Sequence, residues 1–243
     1  MSLGIDPLST LHKTCNFDCS YCQLGPSEGI VSDRRVFVPA EDIMDEIHAL
    51  PSDIKIDYYT FSGRGEPTLA KNIGEMIELI KGVKERKVAV ITNSTLLDRP
   101  DVRFELRKAD FVLAKLDAFD EESFRAINQP HPSIKFNSFI QGIKDFRREF
   151  KNKLALQVMF TDVNKEHAEA VASICREIAP EEIQLNTPLR PSGVKPLEEG
   201  DMEKIKHIFS GLPVLMVYDV ESLKFSPMDH KNTQLRHGHF ESK

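Results

Sequence analysis

The chain has 243 residues, of which 40% are hydrophobic and 29% are charged, a composition typical of soluble globular proteins that bury a sizeable core. Its 38 acidic and 32 basic residues give a net charge of −6 and a pI near 5.8, so the overall charge does not indicate a nucleic-acid-binding protein. No apolar run approaches membrane-spanning length, and the first residues lack the layout of a signal peptide. The sequence therefore predicts a cytoplasmic protein with no membrane partner.

Strand-like and helix-like segments alternate along the chain. Apolar runs rich in β-branched and aromatic residues predict strands at 3–8, 54–61, 88–91, 111–116, 154–160, 183–186 and 213–218. Apolar residues at helical spacing, with a proline start where one is present, predict helices at 39–50, 73–80, 100–107, 136–146, 168–178 and 202–209.

Six strand-then-helix units imply a parallel sheet covered by helices, and six are fewer than the eight of a closed barrel. We therefore expect an α/β fold, a partial and open (β/α)6 TIM-like barrel with parallel strands over residues 1–218. Residues 219–243 are polar and predict a C-terminal tail or cap. Asp229, His230, His237 and His239 lie in this segment; they could bind a metal, although a solvated tail is the simpler interpretation.

Three of the four cysteines are crowded into a C-x3-C-x2-C motif formed by Cys15, Cys19 and Cys22. Thiols this close indicate a metal centre, and two kinds fit. With His12 they could form a closed Cys3His zinc site that staples a binding protein. Alternatively, three thiolates could hold an iron–sulfur cluster and leave one iron without a protein ligand. The fourth cysteine, Cys175, lies on the apolar stripe of a predicted helix and is expected to be a buried core thiol.

Polar residues collect where the predicted strands end, at 62–67, at 92–94, at Lys115 and Asp117, and at 186–187. In βα barrels this carboxyl-terminal face carries the chemistry. Gly63 and Gly65 allow backbone groups in the first of these loops to approach a ligand closely.

These motifs resemble those of the radical S-adenosylmethionine (SAM) enzymes. The family signature is C-x3-C-x2-C with an aromatic residue before the last cysteine, matched here by the three cysteines and Tyr21. The second family motif, Gly-Gly-Glu-Pro, is matched by 64–67, with Arg64 in place of the first glycine. The resemblance covers roughly 3–218. Within the superfamily the chain is most similar to the wyosine-synthase-like branch, which includes the tRNA demethylwyosine synthases, in segments 22–25, 61–63, 115–118 and 128–132.

The resemblance implies that Cys15, Cys19 and Cys22 hold a [4Fe–4S] cluster whose fourth iron is chelated by SAM. The reduced cluster would cleave SAM to a 5′-deoxyadenosyl radical, which abstracts hydrogen from an unidentified substrate. The residues implied in cofactor binding are Phe17, Tyr21, Gly63, Gly65, Glu66, Asn93, Lys115, Asp117, Met159, Leu185 and Asn186. The candidates for a catalytic role toward the substrate are Lys115, Asp117, Gln157 and Arg190.

Two partners are implied: a one-electron donor such as flavodoxin or ferredoxin, and a substrate that is a small molecule, a peptide or RNA. A tRNA-modifying, wyosine-type enzyme is the alternative within the family. Demethylwyosine synthases are expected to carry extra cysteines before the signature, and the fourteen residues that precede Cys15 contain none. A basic stretch, formed by Lys144, Arg147, Arg148, Lys151 and Lys153, could grip RNA phosphates or could be the solvated face of a helix.

Overall fold

Seven strands form a single parallel sheet in the computed structural model, which describes residues 1–83 and 86–219. Neighbouring strands follow chain order from the first to the seventh, and every pair is parallel. The strands are β1 (Ser2–Ile5), β2 (Tyr58–Phe61), β3 (Val88–Thr92), β4 (Phe111–Lys115), β5 (Lys153–Met159), β6 (Glu182–Asn186) and β7 (Val214–Met216). The first and last strands do not pair, so the sheet stays open and the predicted partial barrel is confirmed.

Helices connect successive strands. They are α1 (Ala40–His48), α2 (Ile73–Lys81), α3 (Pro100–Leu106), α4 (Glu121–Ile127), α5 (Phe136–Glu149), α6 (Ala168–Ile178) and α7 (Glu199–Ile208). Sequence analysis did not predict α4, because this seven-residue helix has no clear apolar period and lacks the proline start that the equally short α3 has. Its start is nevertheless encoded locally, since Asp120 and Ser123 form a reciprocal capping box.

The first strand is shorter than predicted for a local reason. The Asp6 carboxylate accepts hydrogen bonds from the backbone N–H groups of Leu8 and Ser9, at 3.1 and 3.2 Å. This turns the chain out of the sheet after Ile5 and into the loop that carries the cysteines.

The two faces of the sheet differ in character. On one face the side chains are fully buried and belong to the apolar core shared with the helices, as for Leu156, Val158 and Leu185. The other face lines the open interior of the partial barrel, and on β4 to β6 it carries a group of half-buried polar side chains beside apolar ones such as Leu113. There Lys115, Gln157 and Gln184 stand level in register on three neighbouring strands.

The described residues contain no helix that is both long and apolar enough to cross a membrane. Cys175 is fully buried in the apolar core, as expected for a structural thiol. The predicted C-terminal tail or cap lies outside the described residues apart from Asp219, and so do Asp229 and the three histidines beyond it.

Helix α5 approaches the short 3-10 turn Thr95–Asp98 very closely at Gly142. A Cβ atom at this glycine would lie 2.3 Å from the Asp98 backbone nitrogen and 2.6 Å from the Leu97 carbonyl carbon. Because backbone cannot yield as a flexible side chain does, we expect Gly142→Ala to lower the free energy of unfolding by about 1–3 kcal/mol. Urea unfolding of the purified protein measures this loss.

Gly200, in α7, provides the control, because a Cβ there would meet nothing within 4 Å. Gly200→Ala should leave the unfolding midpoint unchanged or raise it, since alanine favours a helix by about 0.5–1 kcal/mol. Equal midpoints for Gly142→Ala and the parent would contradict the packing of α5 described above.

Candidate active site at the carboxyl ends of the strands

The segment between β1 and α1 carries the three cysteines, and we call it the cysteine loop. It lies across the carboxyl-terminal edge of the sheet, where two other segments hold it in place. On one side Thr14 pairs with the glycine loop that follows β2. The Thr14 N–H donates to the Arg64 carbonyl at 2.9 Å, and the Glu66 N–H donates to the Thr14 carbonyl at 3.0 Å. The two sequence motifs therefore meet directly, through backbone hydrogen bonds.

Gly63 and Gly65 are both required by the local geometry of the glycine loop. A Cβ atom at position 65 would lie 1.6 Å from the Thr14 carbonyl oxygen, so no larger residue fits there. Gly63 has φ +140°, a conformation that L-residues rarely adopt, and a Cβ there would lie 2.3 Å from Cγ of Asp6. The same Asp6 carboxylate accepts a hydrogen bond from the Arg64 N–H at 3.2 Å.

Glu66 acts as a buried strut between the glycine loop and β3. Its carboxylate accepts hydrogen bonds from the Thr68 N–H at 3.1 Å, the Thr92 hydroxyl at 2.6 Å and the Asn93 N–H at 2.6 Å. Burial raises the pKa of Glu66, and these donors oppose that rise because they stabilise the carboxylate. The Glu66 carboxylate, which was predicted to bind a cofactor, thus accepts hydrogen bonds within the protein that fix the loop.

On its other side the cysteine loop pairs with the segment after α4. The Ser20 N–H donates to the Ile127 carbonyl at 2.9 Å, and the His131 N–H donates to the Asn16 carbonyl at 2.9 Å. Phe17 is only 1% exposed, and its ring packs 5.4 Å from that of Phe124. Phe17 is therefore an aromatic anchor that fastens the loop to the core, and its contact with the cofactor stays a prediction.

Asp117 joins three elements at the end of β4 and is 1% exposed. It accepts hydrogen bonds from the Tyr21 hydroxyl, from Nδ2 of Asn128 at 2.8 Å and from the Met159 N–H at 2.8 Å. Burial, reinforced by the Asp117 charge, raises the pKa of Tyr21 well above its usual value. The tyrosine is therefore a neutral donor, and Asp117 positions it rather than facing the open interior.

Lys115 reaches the same place from the inner wall of the sheet. Its Nζ lies 3.9 Å from Oδ2 of Asp117 and 4.8 Å from the centre of the Tyr21 ring. It also donates to Oε1 of Gln157 at 3.4 Å, and Nε2 of Gln157 donates to Oε1 of Gln184 at 3.5 Å. One cation and two carboxamides thus form a continuous polar row across β4, β5 and β6.

The remaining predicted residues divide between this wall and other surroundings. Met159 and Asn186 are paired in register on β5 and β6, one step beyond the polar row and on the same half-buried face. Leu185 is fully buried on the opposite face, because side chains alternate along a strand, so it faces the core instead of the predicted adenine edge. Arg190 is exposed and donates to Oε1 of Gln23 at 3.0 Å, beside the cysteine loop.

Asn93 links β3 to the cysteine loop. Its Nδ2 donates to Oδ1 of Asn16 at 2.6 Å and lies 3.6 Å from Sγ of Cys15. Asn128 and Gln184 are site residues to which sequence analysis gave no role, although Asn128 lies in one of the segments that carried the resemblance. Nδ2 of Asn128 lies 3.6 Å from Sγ of Cys19.

A family model described as the radical SAM superfamily matches residues 10–175, a span that includes both motifs and the strands β2 to β5. The chain belongs to the radical SAM superfamily. Membership implies that this chain is an enzyme, with a [4Fe–4S] cluster and SAM as its cofactors.

Curated relatives support this membership. A UPF0026 protein of Synechocystis is 41% identical over 198 residues, and the alignment covers 81% of this chain and 73% of that protein. A UPF0026 protein of Methanocaldococcus jannaschii is 34% identical over 86% of this chain and 66% of its own length. A Brachyspira hyodysenteriae protein named GTPase Obg is 38% identical over 86% of this chain, which spans only 31% of that protein. A probable GTP 3′,8-cyclase of Saccharolobus islandicus is 25% identical over 84% of this chain. These relatives do not confirm the predicted wyosine-synthase-like branch.

Solved structures share the fold of this radical SAM protein. Streptococcus suis SuiB bound to S-adenosylmethionine superposes with a TM-score of 0.67 at 18% identity, over 93% of this chain and 53% of SuiB. The structure of anSMEcpe with bound AdoMet gives a TM-score of 0.66 at 19% identity, over 89% of this chain and 64% of that one.

The cysteine loop fits a cluster better than a zinc ion. A structural zinc needs four ligands about 2.0–2.3 Å from one point, whereas each thiolate of a cluster binds its own iron. Within 1–83 and 86–219, no three His, Cys, Asp or Glu side chains are grouped to hold a single ion. The His12 ring is 67% exposed and pairs with Glu28 at 3.2 Å instead of joining the cysteines.

The surroundings of the sulfurs also suit thiolate ligands. Cys15, Cys19 and Cys22 are free thiols, and amide N–H donors from two asparagines face the first two of them. Burial raises the pKa of Cys15, and it raises the pKa of Cys19 to about 11, so these thiols are protonated in the metal-free protein. Iron binding displaces such protons.

We expect Gly65→Ala to disconnect the cysteine loop from the glycine loop. A Cβ 1.6 Å from the Thr14 carbonyl must push the two backbones apart, at a cost of about 1–3 kcal/mol or more. Iron and sulfide per protein after anaerobic reconstitution should fall at least fivefold, and the unfolding midpoint should fall with it.

Gly29 provides the control. It lies in the cysteine loop, and a Cβ there would meet nothing within 4 Å. Gly29→Ala should therefore load iron as the parent does. Full iron loading of Gly65→Ala would show that the Thr14 pairing is not what positions the cysteines.

Proposed function

We propose that the chain binds one [4Fe–4S] cluster through Cys15, Cys19 and Cys22 and uses it to cleave SAM reductively. The observation that carries this proposal is the direct pairing of the cysteine loop with the glycine loop at Thr14, which brings the two motifs to one edge of the sheet. When bound, the reduced cluster would supply the electron that breaks the C5′–S bond of SAM, which would give methionine and a 5′-deoxyadenosyl radical able to abstract hydrogen from the substrate.

The protein's part in this chemistry is to orient the cofactor and to exclude water from it. In this proposal the backbone of 63–66 receives the methionine amino group, and Lys115 attracts the methionine carboxylate. The Lys115 side chain is 15% exposed, and its Nζ lies 3.9 Å from Oδ2 of Asp117. This partner keeps the cation in one place. Met159 and Asn186 offer an apolar and a polar contact for the nucleoside, since they share the inner face of the sheet.

The substrate is proposed to lie against the inner wall, beyond the cofactor. Gln157 and Gln184 present amide donors and acceptors there, next to the Lys115 cation. Such a row suits a polar small molecule or a peptide. Relatives of both kinds are known: the Saccharolobus protein is named for a nucleotide reaction, and SuiB has been solved with its precursor peptide. A low-potential flavodoxin or ferredoxin is the proposed electron donor.

The basic stretch that could grip RNA phosphates gives little support to the RNA-modifying alternative. Lys144 pairs with Glu177 at 2.6 Å, Arg147 with Glu181 at 2.8 Å, and Lys153 with Glu182 at 2.6 Å. These acidic partners offset the positive charge of the stretch, which weakens its attraction for phosphate. A tRNA affinity that falls steeply with salt would restore this alternative.

Reductive cleavage of SAM is the test of the proposed function. The anaerobically reconstituted protein, given dithionite and SAM, should produce 5′-deoxyadenosine. We expect Cys15→Ala, Cys19→Ala and Cys22→Ala each to lower this product at least a hundredfold, because each removes a cluster ligand. Chromatography with mass detection quantifies the nucleoside.

Cys175→Ala is the matched control, because this thiol is buried in the core far along the chain from the motif. It should keep the iron content and the product yield within twofold of the parent. A parent protein that holds four irons and four sulfides yet yields no 5′-deoxyadenosine would refute the proposal.

A further inference from the structure

Two ligand cysteines each have an asparagine side chain as a hydrogen-bond donor. Nδ2 of Asn93 lies 3.6 Å from Sγ of Cys15, and Nδ2 of Asn128 lies 3.6 Å from Sγ of Cys19. The two asparagines come from different elements, the end of β3 and the end of α4, and they approach two different sulfurs. Both are buried, at 7% and 1% exposure.

Each amide is oriented by a stronger partner than the sulfur. The Asn93 amide also donates to Asn16 at 2.6 Å, and its Oδ1 accepts from the Thr95 N–H at 3.1 Å and from the Thr95 hydroxyl at 2.8 Å. The Asn128 amide also donates to Asp117 at 2.8 Å. A carboxamide nitrogen carries two hydrogens. With one fixed on an oxygen, the other is directed at the sulfur.

Hydrogen bonds to the sulfurs of a cluster are one of the means by which a protein sets its reduction potential. A donor stabilises negative charge on the thiolate, and the reduced cluster carries one more negative charge than the oxidised cluster. The donor therefore stabilises the reduced form more and makes the cluster easier to reduce. Because both amides are buried, water does not screen this effect.

We propose that Asn93 and Asn128 raise the reduction potential of the cluster by donating hydrogen bonds to Cys15 and Cys19. This inference rests on the proposed function, since it requires the cluster to be bound. The two asparagines act through the ligand sulfurs and are positioning residues. Two buried carboxylates keep these asparagines in position. Glu66 accepts a hydrogen bond from the Asn93 N–H at 2.6 Å, and Asp117 accepts one from the Asn128 side chain.

The experiment is a spectroelectrochemical titration of the reconstituted protein without SAM. Asn128→Leu removes one donor and keeps the branching and the number of side-chain heavy atoms, and Asn93→Leu removes the other. Each variant should lower the equilibrium constant for reduction about fivefold to tenfold, where tenfold corresponds to about 59 mV for one electron. The double variant should show roughly the sum of the two shifts.

Asn152→Leu is the control. This asparagine lies at the opposite, amino-terminal end of β5 and donates to the Ala109 carbonyl at 2.7 Å. The midpoint potential of the cluster in Asn152→Leu should equal that in the parent. If Asn93→Leu and Asn128→Leu hold full clusters and also match the parent potential, the inference is overturned.

A second readout does not depend on the variants. In the reduced parent protein labelled with 15N only in asparagine side chains, electron–nuclear double resonance should detect 15N nuclei coupled to the cluster. Absence of such couplings in a protein with a full cluster would overturn the inference even if the leucine variants fail to fold. Failure of the parent to bind any cluster would refute the proposed function instead, so the two failures are distinguishable.

Discussion

The pairing of Thr14 with the glycine loop is the contact on which the rest of this site depends. Both backbone groups of Thr14 are engaged by the loop after β2, so Cys15, the next residue, is fixed relative to the sheet. The contact is possible because position 65 has no Cβ, and even a methyl group would occupy the space of the Thr14 carbonyl. A glycine here serves the approach of two backbones, whatever further use a ligand makes of the same loop.

From that contact a series of buried polar groups continues round the edge of the sheet. Glu66 connects the glycine loop to β3, Asn93 connects β3 to the cysteine loop, and Asp117 connects Tyr21 to Asn128. Buried carboxylates are costly unless donors surround them, and here backbone and side-chain donors do so. The cysteine side of the site is therefore preorganised, whereas the inner wall of β4 to β6 stays open.

The contrast between a preorganised cysteine side and an open inner wall suits an enzyme of a large superfamily. The members share their cofactor chemistry, whereas each enzyme has its own substrate. The groups that hold the cysteine loop are buried and mutually satisfied, so they tolerate little change. Gln157 and Gln184 are half-buried and hydrogen-bond to each other and to Lys115, not to the cysteine loop, so they can change without disturbing it. In the proposed function these two side chains would set the specificity for the substrate.

The sequence by itself determined the sheet, because buried parallel strands read as continuous apolar runs, and it determined the cysteine and glycine motifs, because their spacing is local. Only the tertiary structure decided what several polar and aromatic residues do. Phe17, Glu66 and Asp117 hold the loop in place through contacts that the sequence does not reveal, and Leu185 lies on the core face of its strand. The role of Asn128 depends on a contact with Cys19, more than a hundred residues away, that no local pattern encodes. Local spacing fixes which residues are near in sequence, whereas burial and partners are set by elements that meet only in the folded chain.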